Sequence, residues 1–233
     1  MAVDTIGRAG VLLASLPVLR ESSPVSTPLW QVVGVCERGA AAVLLAATSP
    51  LLAGSALAIW AASGRSPLIA HRRVGWRGET LWMLKLRTMW GEADTGATRS
   101  GGGWIEYIDD DSGPARKSAD DPRVSHWFAR FCRRHSLDEL PQLWHVLSGA
   151  MALVGPRPVT AREIRQFYGG DAEEVLSVKP GLAGLWQTSG RNRLTFEERR
   201  KLDLRFVRSR SLGMYLRILL RTLPEVWDGS NSW

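Results

Sequence analysis

Between Arg38 and Arg65 the chain runs for 26 residues without a charged side chain. As one helix this stretch would reach about 39 Å, more than the ~30 Å hydrocarbon core of a bilayer. Ser49-Pro50 falls near its middle. An interior proline removes a helix hydrogen bond and clashes with the preceding turn, so a bend is expected there. Two paths fit: a kinked spanning helix, or a re-entrant hairpin that enters and leaves on one side. Length and hydropathy by themselves favour spanning. With about 38 residues ahead of it, the segment is not expected to be a cleavable signal peptide.

Beyond it the pattern shortens. Residues 67–89 alternate apolar and polar positions on either side of a turn at 75–78, which predicts two short strands. Residues 91–120 are rich in Gly, Asp, Ser and Thr and predict a long loop, with a brief strand near 104–108. From His126 the period becomes helical: Trp127, Phe128, Phe131 and Cys132 form an apolar stripe with Arg130, Arg133 and Arg134 beside it. Residues 137–147 and 159–168 predict two more helices, and 179–192 a glycine-punctuated loop. Residues 195–227 alternate Arg with Leu, Ile, Val and Phe, as in a basic amphipathic helix that lies in a membrane interface or packs on the domain. The expected organisation is a loosely ordered arm (1–34), a membrane helix (35–64) and a globular domain (65–233). The class is α+β and helix-rich, with short strands and interfacial amphipathic helices.

Charge sharpens this division. Residues 1–62 hold three basic and three acidic side chains, so the net +7 of the 233-residue chain belongs entirely to residues 63–233. A basic domain behind an apolar segment suits an anionic leaflet or a phosphate-rich ligand. Nucleic acid is set aside, because no recognised binding motif accompanies the charge. Cys36 and Cys132 make neither a disulfide framework nor a zinc spacing.

The candidate chemistry lies in residues 133–158, RRHSLDELPQLWHVLSGAMALVGPRP. Asp138-Glu139 follows a basic cluster and begins a helix, where positive backbone potential favours ionised carboxylates. An ionised aspartate can attack phosphorus, and its neighbour can hold a metal ion. The bland reading is a capping box, Ser136 to Glu139. Arg157, stiffened between Pro156 and Pro158, offers a planar fork for phosphate oxygens. Lys85 and Arg87 are spaced to share one strand face. The loop carrying Lys179, Gln187 and Arg191 could cradle phosphate through its backbone amides, though its spacing fits neither a Walker loop nor a dinucleotide fingerprint. The run Asp109-Asp110-Asp111 reads as a solvated turn rather than a metal site.

Taken in order, Ser49-Pro50, Lys85 to Met89, Asp121 to Val124, Ser136 to Gln142, Leu153 to Pro158 and Lys179 to Asn192 resemble the bacterial sugar transferases, the monotopic phosphoglycosyl transferases that begin exopolysaccharide, O-antigen and glycoprotein glycan assembly. The resemblance covers residues 35–225. It implies that Asp138 attacks a UDP-sugar, releasing UMP and leaving a phosphosugar on the enzyme, which polyprenol (undecaprenyl) phosphate then takes up. It implies Mg²⁺ at Glu139 and phosphate contacts from Lys85, Arg87, Arg134 and Arg157. It also reverses the topological preference: a break at Ser49 and Pro50 gives a re-entrant helix, with the domain on the cytoplasmic face of the bacterial inner membrane. Membrane lipid is an expected partner, and a homo-oligomer is compatible. His71, His145, Ala152, Phe206, Arg210 and Tyr215 depart from the residues common in that family. The competing class is a non-enzymatic anchor that uses its basic face on anionic lipid.

Overall fold

The computed structural model describes residues 28–89, 103–109, 127–190 and 194–228, with side chains only to residue 222 in the last stretch. The arm up to residue 27, Asp110-Asp111, Asp121 to Val124 and Arg191 lie outside the described residues.

Helix α1 (Pro28–Ser63) begins seven residues before the expected start of the membrane segment, on a proline suited to a first helical position. It is long and apolar enough to cross a membrane. Its helical assignment continues through Ser49-Pro50. Proline has no N–H to give the carbonyl four residues back, which here is that of Ala46. The Ser49 hydroxyl donates to that carbonyl instead, at 2.9 Å. Thr48 does the same for Leu44 at 2.7 Å. Serine before proline thus recovers part of the roughly 3 kcal/mol an interior proline costs, where water is scarce.

Strands β1 (Leu68–Val74) and β2 (Thr80–Leu86) form the expected antiparallel hairpin, with Ile69 opposite Lys85. The 3₁₀ turn Trp76–Gly78 that joins them carries Arg77 at φ 57° and Gly78 at φ 84°. Strand β3 (Ile105–Ile108), also expected, lies parallel to β1 and completes a sheet of order β2-β1-β3.

Helix α2 (Trp127–Arg134) leads to a 3₁₀ segment, Leu137–Gln142, and then α3 (Leu143–Leu147). Strand β4 (Ala152–Val154) follows, then α4 (Ala161–Glu163), which opens on a Thr160–Glu163 capping box and runs into a π-helical turn, Ile164–Tyr168. Helix α5 (Ala172–Leu176) precedes strand β5 (Gly181–Ala183), which pairs parallel with β4. The expected final helix is two: α6 (Phe196–Ser209), capped by Thr195 and Glu198, and α7 (Leu212–Asp228).

Three apolar clusters hold these elements. One gathers Val74, Ile164, Tyr168, Val175 and Leu176; the other two reach into α1. Ala41 packs with Leu81, Leu143, Val146 and Met151. Trp30 and Val33 pack on Val154, Phe206, Tyr215 and Ile218. The first half of the long helix is therefore part of the globular core, including residues assigned to the loose arm.

The structure corrects two other expectations. The stripe on α2 is split: Trp127 and Phe131 are exposed, while Cys132 is buried together with Ala129 and Arg133. The glycine-rich loop is in part strand β5, and its glycines permit close strand contact. A Cβ on Gly181 would sit 2.0 Å from the Gly155 nitrogen. The Gly181 N–H is bonded to the Pro156 carbonyl at 2.8 Å, so it buttresses the Pro-Arg-Pro segment.

Candidate active site

Four elements converge on the carboxylate pair. Ser136 adopts a left-handed conformation, φ 55°, and its side chain caps nothing. The capping-box reading of Glu139 therefore fails: the Glu139 N–H bonds the Ser136 carbonyl, and its carboxylate is engaged elsewhere. Pro141 lies inside the tight 3₁₀ turn, where a missing donor costs little.

The Glu139 Oε1 receives two cations. Lys85 Nζ, from β2, donates at 3.1 Å, and Arg157 Nη2, from the Pro-Arg-Pro segment, donates at 3.3 Å. All three groups are largely shielded from water, which strengthens their attraction. Beside them Asp138 is 4 % exposed, and its Oδ1 has no hydrogen-bond partner. Leaving a buried carboxylate oxygen unpaired is costly. Next to it is the fully buried Cys132 thiol, pushed up to about 11 by burial first and by the Asp138 charge second. That thiol stays neutral and does not compete as a nucleophile.

His145 holds one wall. Its Nε2 accepts the Leu84 N–H at 3.1 Å, pinning β2 one residue before Lys85. Burial lowers the imidazole pKa, against a backbone hydrogen bond with Trp82, so the ring is neutral as this acceptor role requires. Behind Arg157 lies Asp203 of α6, 1 % exposed, which accepts from the Tyr168 hydroxyl at 2.8 Å. Burial raises the Asp203 pKa to about 7, while Tyr168, Arg199 and Arg157 pull it down. Sequence reading missed Asp203 and Tyr168, and it named Arg133 in the basic cluster without foreseeing its burial. Asp203 sits among Arg and Lys on an amphipathic helix, and 35 residues separate it from its partner.

The other expected residues are distributed differently. Arg87 is 2 % exposed, follows the end of β2, and bonds the Ser66 carbonyl at 2.8 Å and the Glu106 carboxylate of β3. Arg134 is exposed at the end of α2. Lys179 lies 5.4 Å from the Trp76 ring, its pKa lowered by burial and then by Arg38. Gln187 donates to the Leu182 carbonyl at 3.4 Å and rests against Gly184. The structure thus joins Asp138, Glu139, Lys85 and Arg157 in one site and places Arg87, Lys179 and Gln187 around other contacts.

Among the described residues no three His, Cys, Asp or Glu side chains form a ready metal cage. The pair nevertheless fits Mg²⁺, which commonly takes one or two carboxylates and fills its shell with water and substrate phosphates. The unpartnered Asp138 oxygen is a suitable donor beside Glu139.

Several curated proteins are similar to this chain in sequence. The exopolysaccharide production protein ExoY of Sinorhizobium fredii is 38% identical over 201 residues, covering 83% of this chain and 84% of that protein. The UDP-glucose:undecaprenyl-phosphate glucose-1-phosphate transferase of Caulobacter vibrioides is 35% identical over 203 residues, 83% of this chain and 69% of that protein. The UDP-galactose-lipid carrier transferase of Erwinia amylovora is 39% identical over 166 residues, 70% of this chain but 34% of that longer protein. Residues 30–229 match the family described as bacterial sugar transferase, and the chain belongs to that family.

Proposed function

We propose that this phosphoglycosyl transferase moves a sugar 1-phosphate from a UDP-sugar to undecaprenyl phosphate, through a covalent phosphosugar on Asp138. The observation that carries the reading is the buried Asp138 with an unpartnered oxygen, beside a Glu139 that holds Lys85 and Arg157. The relatives' names supply the donor and acceptor classes.

In the first step an Asp138 carboxylate oxygen bonds to the β-phosphorus of the UDP-sugar. The bond from that phosphorus to the bridging oxygen breaks, and UMP leaves with the electron pair. In the second, a phosphate oxygen of the polyprenol bonds to the same phosphorus and the Asp138 oxygen departs. The product is polyprenol-diphosphate-sugar. Lys85 and Arg157 take up negative charge on the phosphate oxygens as each bond breaks. Glu139, with Asp138, would hold Mg²⁺, whose contribution is to offset the charge of the diphosphate. Shielded walls make each of these charges count for more than in water.

The reaction needs a soluble nucleotide and a lipid phosphate at one depth. Helix α1 exposes Val32, Val43, Leu51, Leu57 and Trp60, α2 exposes Trp127 and Phe131, and α7 exposes Leu212, Leu216 and Leu220. These surfaces suit hydrocarbon and headgroups. The re-entrant path, with the domain on the cytoplasmic face of the inner membrane, is our reading of Ser49-Pro50.

Purified protein given Mg²⁺, UDP-sugars and undecaprenyl phosphate should release UMP. A folded preparation that releases none across a broad panel of UDP-sugars would contradict the proposal.

A further inference from the structure

Glu37, next to Arg38, is the one acid on helix α1, and it is 8 % exposed. A single oxygen, Oε1, accepts from two elements: the Leu153 N–H of β4 at 2.7 Å and the Tyr215 hydroxyl of α7 at 2.6 Å. The backbone explains why a side chain is needed. At the start of β4 and just past its end, the Ala152 and Gly155 N–H groups bond to the Pro180 and Ala183 carbonyls on the β5 side. Leu153 between them faces the other edge, where no strand pairs among the described residues, and Glu37 supplies the missing acceptor.

Neighbouring contacts reinforce this joint. Trp30 of α1 lies 6.1 Å from the Tyr215 ring, and the Arg210 guanidinium stacks 4.3 Å over Trp30. On the far side Arg38 closes over Gly149, where a Cβ would come within 2.6 Å of its Nη2. Helix α1 is thus fixed to α7 and to β4 at once. Helices α1 and α7 both carry exposed apolar side chains, and β4 runs directly into the segment that presents Arg157.

We propose that Glu37 is a positioning residue: by joining α1, α7 and β4 it sets the depth at which the Asp138 site meets a lipid-borne phosphate. The inference rests on the phosphoglycosyl transfer proposed above. It separates the two half-reactions. The soluble donor reaches the site at any depth, whereas the polyprenol phosphate lies at one.

The test uses the full chain in vesicles of phosphatidylethanolamine and phosphatidylglycerol, with Mg²⁺ and the UDP-sugar that the wild type accepts. Glu37→Ala should keep the UMP burst seen without acceptor within about twofold, and raise the KM for undecaprenyl phosphate about tenfold, or about 1.4 kcal/mol. Glu37→Gln should stay near wild type, because one amide oxygen can accept both bonds. An unchanged acceptor KM in Glu37→Ala, an equal loss in both half-reactions, or a Glu37→Gln as impaired as Glu37→Ala would overturn the proposal. Should Glu37→Ala not fold, Tyr215→Phe, which keeps the ring and removes one donor, decides on the same criteria. A wild type with no burst speaks against the reaction itself. Separately, a nitroxide at position 144, in a Cys36→Ser background, whose depth Glu37→Ala leaves unchanged speaks against the joint.

Discussion

Two buried carboxylates, Glu37 and Asp138, sit in opposite circumstances. Glu37 gives one oxygen to two donors and links three elements. Asp138 keeps an oxygen that no protein group satisfies, next to a carboxylate already held by two cations. Both are charges withdrawn from water, so both are costly; the difference is where the compensation comes from. Around Glu37 it comes from the fold. Around Asp138 no protein group meets that oxygen, which leaves it open for the nucleophilic role proposed above.

The comparison breaks most readily at Asp138. Asp138→Asn should lower UMP release by at least about 10³-fold, since an amide cannot form the ester. Its folded state should be as stable as the wild type or more so, because a buried carboxylate with an unpartnered oxygen is gone. Glu37→Ala should behave inversely for stability, costing on the order of 2 kcal/mol by stranding the Leu153 and Tyr215 donors. Denaturant melts in detergent alongside UMP assays would measure both. If Asp138→Asn is destabilised as much as Glu37→Ala, the two acids are not distinct in kind.

A smaller effect is expected at Arg157. Arg157→Lys keeps the charge but loses the two-pronged geometry, and should reduce turnover about 10²-fold, a typical loss for one transition-state donor. A value near wild type would show that Arg157 serves only as counter-ion to Glu139.

The smallest effect concerns a third buried acid. Asp203 has its pKa raised in the fold from 3.8 to about 7. Its contribution to stability is therefore full below about pH 4 and is lost as pH rises toward 7. Asp203→Asn should flatten the melting-temperature profile across that interval. An unchanged slope would mean that Tyr168, Arg199 and Arg157 together hold Asp203 ionised.

Local signals were legible in the sequence. Alternation gave β1 and β2, and the carboxylate pair, Lys85 and Arg157 lay in recognisable segments that the fold brings together. What could not be read locally was partnership across the chain. Arg87 looks identical to Lys85 in a strand pattern, yet it pairs with Glu106, which only the β1–β3 contact brings near. The glycines of residues 179–192 suggested a phosphate cradle; their cause, the approach of Gly181 to Gly155, is a tertiary contact. Trp127 and Phe131 marked a helix correctly, but local pattern did not show which members of the stripe the fold buries: both are exposed, while Cys132 is buried. Glu37 lies just ahead of the uncharged run, and its meaning rests on Tyr215, 178 residues later.

Intact-mass spectrometry of the protein after brief exposure to Mg²⁺ and a UDP-sugar, without acceptor, tests the central claim most directly. The account predicts a mass increase equal to one sugar phosphate, mapped to Asp138, lost on adding undecaprenyl phosphate and absent in Asp138→Asn. Release of UMP on acceptor addition with no such adduct, or with the adduct on another side chain, would contradict it.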